Sequence, residues 1–230
     1  MVYQPVIPIT GYGGWKFLES TFDKQFEGFT DSASVRNDRD YFQEKMSSPV
    51  AIEDFLSDRR LLRISLTSFD LGGEEWKVGF LRHMMEEQAD PDSSFLKRLN
   101  SPAYTAFATT FTVTDGKISL SQDTIASLAD DFERAAFRSA VGNVDNNMKL
   151  SLNYEAKVGD LVREGSSDEA NLYRLLGDVP TRTVLETALN LPTSWQQLDV
   201  DQQADILKER VLSVFSISKI TDLANEDVMD

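Results

Sequence analysis

Cysteine is missing from all 230 residues, which removes disulfide staples, thiolate nucleophiles and sulfur-ligated zinc. Histidine occurs once, at His83, so Ser–His and Cys–His catalytic pairs lack their parts. No apolar run comes near the roughly 20 residues that a membrane span requires. Positive charge is also scarce: 23 Lys and Arg stand against 38 Asp and Glu, a net charge of −15 with a pI near 4.5. Nucleic acids and anionic membranes select a basic surface, so neither is an expected partner, whereas a basic protein is. The opening MVYQPVIPITGYGG has no basic n-region and carries Pro5 and Pro8, so it does not read as a cleavable signal. The expected compartment is the cytoplasm, unless export uses an uncleaved signal.

What is present is ordinary for a globular chain: 41% apolar and 27% charged residues, enough for one large domain or two small ones. The feature that organises it is a stretch and its echo. Arg59–Glu87 (RRLLRISLTSFDLGGEEWKVGFLRHMMEE) returns as TRTVLETALNLPTSWQQLDVDQQADILKERV from Thr181. Each reads as a short apolar helix, a Gly or Pro break, a Trp and a second amphipathic helix. Shifting Phe55–Gly73 by 120 positions lays it on Leu175–Thr193 without a gap. Phe55/Leu175, Leu56/Leu176, Asp58/Asp178, Ile64/Val184, Thr67/Thr187, Phe69/Leu189 and Leu71/Leu191 then coincide. The spacing predicts an all-α protein of two related helical units joined by a long central helix.

In chain order, residues 1–14 read as an extended arm in which Val2, Tyr3, Val6, Ile7 and Ile9 alternate with Pro5 and Pro8 before the glycines at Gly11–Gly14. The arm is either a tail packed on its own domain or an apolar docking arm for a partner protein. Tyr3, Val6, Ile7 and Ile9 are the candidate binding residues. The first helical unit, 15–120, opens with Trp15, Leu18, Phe22, Phe26 and Phe29 in one arc at 3.6 residues per turn. Ser48-Pro49 reads as a helix start over Val50–Leu56, and Gly72-Gly73 as the left-handed stop of the next helix. Trp76, Phe80 and Met84 form one stripe, Val78, Leu81 and Met85 another. His83 lies on the Trp76 side, where it reads as a structural, partly buried histidine rather than a general base, which would need an orienting partner and a nucleophile. Asp90-Pro91 and Ser101-Pro102 mark further short helices. Asp115-Gly116, set in alternating residues from Phe111 to Leu120, signals a β-hairpin, either a small ribbon lying on helices or an irregular loop.

Residues 121–164 keep a helical period that would span roughly 60 Å if unbroken, with Gly142-Asn143 as the point where it kinks or divides. Asp130, Asp131 and Glu133 there read as a solvated face. A second helical unit, 165–225, starts from a Ser166/Glu169 capping box and closes with the stripe Val200, Ala204, Leu207, Val211 and Val214, before a frayed tail at 226–230. Asp199, Asp201, Gln203 and Asp205 have the odd spacing of a calcium loop, but Ala204 and Arg210 stand where Gly and Glu are required. No metal or cofactor is expected.

Four stretches resemble a known family: Gly14-Trp15-Lys16-Phe17-Leu18 with its Phe repeats, Arg39-Asp40-Tyr41-Phe42, Asn147–Glu155 (NMKLSLNYE), and Ala188-Leu189-Asn190-Leu191-Pro192 followed by Asp201-Gln202-Gln203. The chain is similar here to domain-of-unknown-function family twelve-seventeen, alphaproteobacterial helical proteins often found in flagellar gene clusters. Thr112–Leu120 departs from that pattern. The resemblance implies a flagellum-related role without a mechanism. It suggests a non-enzymatic protein working through protein–protein contacts, with a flagellar partner, as assembly factor, chaperone or basal-body-associated component. Its location would be cytoplasmic, or flagellar if it is exported. Names borrowed from rod proteins make an exported axial component the alternative, and an enzyme with a carboxylate site built by tertiary contacts a second one.

Overall fold

The computed structural model describes residues 3–88, 95, 99, 101–225 and 228. It is an all-α protein carrying one small three-stranded sheet, and the chain separates into two compact units, Met1–Val144 and Asp145–Asp230. The expected helix at Asp90-Pro91, Val2 and most of the expected tail lie outside the described residues.

The first unit runs α1 (Gly11–Thr30), α2 (Ala33–Met46), β1 (Val50–Ala51), α3 (Ile52–Ser57), α4 (Arg59–Thr67), α5 (Val78–Gln88), α6 (Pro102–Thr110), β2 (Val113–Thr114), β3 (Lys117–Ile118) and α7 (Gln122–Gly142). Its centre is α4, which packs on α2 and α7 and buries Leu61, Leu62, Ile64, Ser65 and Leu66. Apolar residues on most sides of so short a helix leave it no solvated face except its arginines. Asp38 of α2 takes two of them, Arg60 at 2.8 Å and Arg63 at 2.6 Å. The phenylalanine stripe of α1 meets α7 at Phe137, whose ring lies 5.4–5.5 Å from those of Phe22, Phe26 and Phe29 at steep angles. That is the edge-to-face arrangement aromatic quadrupoles favour.

The hairpin forms where Asp115-Gly116 predicts it. Both residues are left-handed, φ 52° and 74°, as a two-residue type I′ turn demands. Sequence reasoning missed its third strand. Val50 and Ala51 pair with Ile118 and Lys117, so β3 is central, and α3 begins only at Ile52. The helix expected from Pro49 is therefore displaced by tertiary pairing. The solvated-face reading of α7 also needs correction at Glu133, which is buried 3.0 Å from Arg39 of α2. Burial raises its carboxyl above the usual range, against the pull of Arg39.

The connecting segment divides at the expected weak point: α7 ends at Gly142 and α8 (Asn146–Leu161) begins anew. Asp145 is extended, and its carboxylate accepts from the N–H groups of Asn147 and Met148, the signature of a helix start. The boundary between the units falls there, not at 120 and 165. The second unit continues with α9 (Asp168–Gly177), α10 (Val179–Ala188), a 3-10 turn (Thr193–Gln197), α11 (Val200–Val214) and a last 3-10 turn (Ile220–Ala224). Leu172, Leu175, Leu185, Trp195, Leu207 and Val211 belong to its core. The cap of α9 is Ser167, which accepts from Ala170 N–H, one residue beyond the expected Ser166. Buried Asn171 accepts from Arg163 N–H at 3.1 Å and from Arg174 at 2.6 Å, and its amide donates to Arg163 C=O at 3.3 Å. It holds the turn between α8 and α9 without leaving a polar atom unpaired.

The repeat seen in sequence is a repeat of backbone. Asp58 ends α3 and caps α4 at φ −80°, ψ 93°; Asp178 ends α9 and caps α10 at φ −90°, ψ 100°. Each second helix then stops at a left-handed residue, Asp70 (φ 58°) or Asn190 (φ 50°). Leu71 N–H donates to Leu66 C=O and Leu191 N–H to Glu186 C=O, both at 2.9 Å, which closes each end as a Schellman turn. The stops are thus Asp70 and Asn190, not the expected Gly72-Gly73 and Pro192.

Candidate functional site

The arm residues are seated on α1. Tyr3 packs edge-on against Phe29, centroids 5.7 Å apart, and its ring approaches Gly28 so closely that a Cβ there would meet it at 3.3 Å. Burial raises the Tyr3 hydroxyl above its usual range. Pro5 is buried and Ile7 half-buried. Between them Gln25 of α1, itself buried, accepts from Val6 N–H at 2.7 Å and donates to Val6 C=O at 3.1 Å. One amide side chain stands in for a neighbouring strand. Val6 and Ile9 are 60% and 59% exposed, with the Ile9 side chain lying along Gly13. Of the four candidates, Tyr3 and Ile7 serve the fold, while Val6 and Ile9 offer apolar surface. The arm ends at Thr10, because α1 takes in Gly11–Gly14.

A second surface was not singled out as a binding site from the sequence. Helix α5 buries Leu81, Met84 and Met85, which commits its inner face. Phe80, His83 and Glu87 fall on another line at helical spacing, and Trp76 lies in the turn just before the helix. Trp76 is 77% exposed, the largest side chain so left. Lys77 reaches back over its ring, 5.3 Å from the centroid, pairs with Glu74 and donates to Tyr104 Oη at 3.2 Å. Tyr104 Oη donates in turn to Glu74 at 2.6 Å, which closes the ring of groups. Burial raises the Tyr104 hydroxyl and Glu74 adds to it. Burial also acts to raise the Glu74 carboxyl, yet Lys77 and Tyr104 outweigh it and hold the group low. Behind this ring Phe80 lies 5.1 Å from Tyr104 and 6.0 Å from Phe95. The imidazole of His83 meets Phe95 edge-on at 4.7 Å and approaches Glu87 at 4.0 Å. With its side chain 54% exposed, His83 is a member of this surface rather than a core residue.

An open groove of about 520 Å³ lies along β1, lined by Lys45, Pro49, Val50, Ala51, Asp54, Ser57 and Asp58. On its wall the Tyr41 hydroxyl donates to Asp58, and Arg60 stacks over Tyr41 at 4.2 Å. Asp58 is engaged in capping α4 and, through Tyr41, in holding α2 to the α3–α4 corner. Among the described residues no group of three or more His, Asp or Glu is placed to hold a metal, and no helix is long and apolar enough to cross a membrane. The aromatic surface on α5 has the composition of a contact site: Trp and Tyr over an apolar base, with a charged rim.

A family model described as "Protein of unknown function (DUF1217)" matches residues 68–229, a range that includes the α5 surface and leaves out the arm. The fold is similar to that of a crystal structure of a protein from Agrobacterium tumefaciens, at 22% identity and a TM-score of 0.70, covering 98% of this chain and 93% of that one. No curated protein matches the chain.

Proposed function

The chain belongs to the DUF1217 family, and on that premise we propose a non-enzymatic helical protein associated with the bacterial flagellum. It acts by protein–protein contact, as assembly factor, chaperone or basal-body-associated component. The observation that carries the contact part is the uncovered indole of Trp76, at 77% exposure, in the turn that leads into α5, a helix whose other face is packed into its unit. A large aromatic held open to water costs solvation, and surfaces of this kind mark interaction sites. The flagellar part, and a cytoplasmic or flagellum-associated location with it, rests on the resemblance carried by Gly14–Leu18, Arg39–Phe42, Asn147–Glu155 and Ala188–Pro192 with Asp201–Gln203.

The test is a deletion strain scored for filaments and swimming, followed by affinity capture of the tagged chain. Impaired motility with a flagellar component in the captured fraction is the expected result. Normal filaments and no flagellar partner would remove the reading.

A further inference from the structure

We infer that the arm is exchanged between two copies of this chain, the Tyr3–Ile9 segment of each seating on α1 of the other; this concerns the chain's own assembly and stands independently of the function proposed above. The seat belongs to α1 and is set without the arm. The Gln25 amide donates to Thr21 Oγ1 at 2.8 Å, and Thr21 donates in turn to Phe17 C=O at 2.7 Å. Those bonds lie wholly within α1. They leave the second N–H of Gln25 and its carbonyl oxygen aimed at the main chain of position 6. Gly28 and Phe29 take the Tyr3 ring. Nothing in this seat distinguishes the chain's own arm from the identical arm of a copy, so exchange keeps every seat contact.

The arm hangs on a single joint. Thr10 gives α1 no side-chain cap, and Gly11 sits at φ 70° with nothing within 4 Å of the place a Cβ would take. A tethered arm has an effective concentration on the order of millimolar at its own α1, so exchange needs a contact that the monomer lacks. Val6, Ile9 and Tyr12 border the joint, 60%, 59% and 72% exposed. With so short a connection, a twofold assembly brings each joint beside its copy. Three side chains fall short of the roughly 800 Å² per partner of a stable interface; the crossed seats supply the rest. Charge favours a copy over other partners here. Residues 1–15 hold no charged side chain on a chain of net charge −15. Two copies therefore meet through this segment without the like-charge repulsion that opposes contact elsewhere, and a basic partner finds no carboxylate in it.

The experiment uses the full chain, whose lack of cysteine allows a label at one chosen site. Light scattering from about 10 μM to about 1 mM, a range that reaches the effective concentration of the arm, should show a monomer–dimer equilibrium. Tyr12→Ser should raise the dissociation constant about tenfold. Exchange itself is read by nuclear magnetic resonance. A nitroxide on Gln4→Cys, an exposed position, is carried by chains without isotope label and mixed with isotope-labelled wild type. After incubation the amides of Gln25–Phe29 in the labelled chain should broaden, more so at higher concentration, and less when both chains carry Tyr12→Ser. A chain that stays monomeric across the range overturns the inference. So does a dimer in which Ile9–Tyr12 broaden and Gln25–Phe29 do not, because the copies then touch without exchanging arms. Tyr12-dependent binding of a monomer to phosphatidylcholine vesicles, with no dimer, overturns it as well.

Discussion

The corner at Phe55–Gly73 and the corner at Leu175–Thr193 share an aspartate joint, a left-handed stop and the hydrogen bonds that close it, yet their tryptophans part company. Trp195 is 2% exposed and Trp76 is 77% exposed. The joint is local: an Asp carboxylate caps the next helix, and Asp or Asn tolerates the left-handed stop. The fate of the tryptophan is tertiary. In the second unit α11 turns Ala204, Leu207 and Val211 into the cluster that contains Trp195. In the first, α5 spends its apolar face on Leu81, Met84 and Met85 and leaves Trp76 outside. The same local motif supports a core anchor in one place and an open surface in the other.

Replacing each tryptophan by alanine tests that contrast most strongly. Trp195→Ala should lower unfolding stability by about 3–5 kcal/mol, and Trp76→Ala should stay within about 0.5 kcal/mol, both read from urea denaturation. Similar losses would mean that the two positions are equally structural.

The joints come next. Asp178→Ala should cost about 1 kcal/mol, an ordinary cap, and Asp58→Ala about 2 kcal/mol. Asp58 accepts from Arg60 and Leu61 N–H and from Tyr41 as well. The acid limb of stability shares this origin. Burial alone would raise the Asp58 carboxyl, but Leu61 N–H, the Tyr41 hydroxyl, Arg60 N–H and the charge of Lys45 outweigh it, so the group lies below its ordinary value. With the folded value depressed, its stabilisation is present above the unfolded value near ~3.9 and is lost as pH falls through the folded one. Thermal scans of Asp58→Asn across acid pH should show a shallower decline than the wild type, and parallel curves would contradict the assignment.

The stops should show effects on the scale of an ordinary cap. Asn190→Ala should cost about 1 kcal/mol, because alanine lacks the short polar side chain that lets asparagine tolerate positive φ. Asp70→Ala should cost somewhat more, because Arg138 pairs with Asp70 at 2.9 Å. A thermal shift no greater than that of an exposed helical position would show that the Schellman ends carry no strain.

Much of this was legible in the sequence. The 3.6-residue apolar spacing places α1, α4 and α11, Asp-Gly places the hairpin, and the 120-residue shift finds the corners. The positive-φ stops were legible too, since Asp70 and Asn190 coincide in that shift and are residue types that tolerate the conformation; the nearby glycines and Pro192 drew attention away. What sequence withholds depends on distant partners. Val50-Ala51 becomes a strand only because Ile118 and Lys117 lie beside it, and Glu133 is buried only because Arg39 meets it. The candidate arm was found, but not its attachment, since a glutamine among the charged residues of α1 carries no local sign that it reaches back to Val6. The surface on α5 was half legible: its stripe is visible, whereas the choice of which stripe faces water is made by the packing of its unit.

The Gln25 clasp touches the main chain at position 6 and not its side chain. Almost any residue should therefore be tolerated at Val6, with proline as the exception because it has no N–H to give. Position 25 has no such latitude, since few side chains offer a donor and an acceptor side by side. By hydrogen–deuterium exchange the Val6 amide should accordingly be protected well beyond what a solvent-washed residue outside any sheet would show, and Gln25→Ala should abolish that protection.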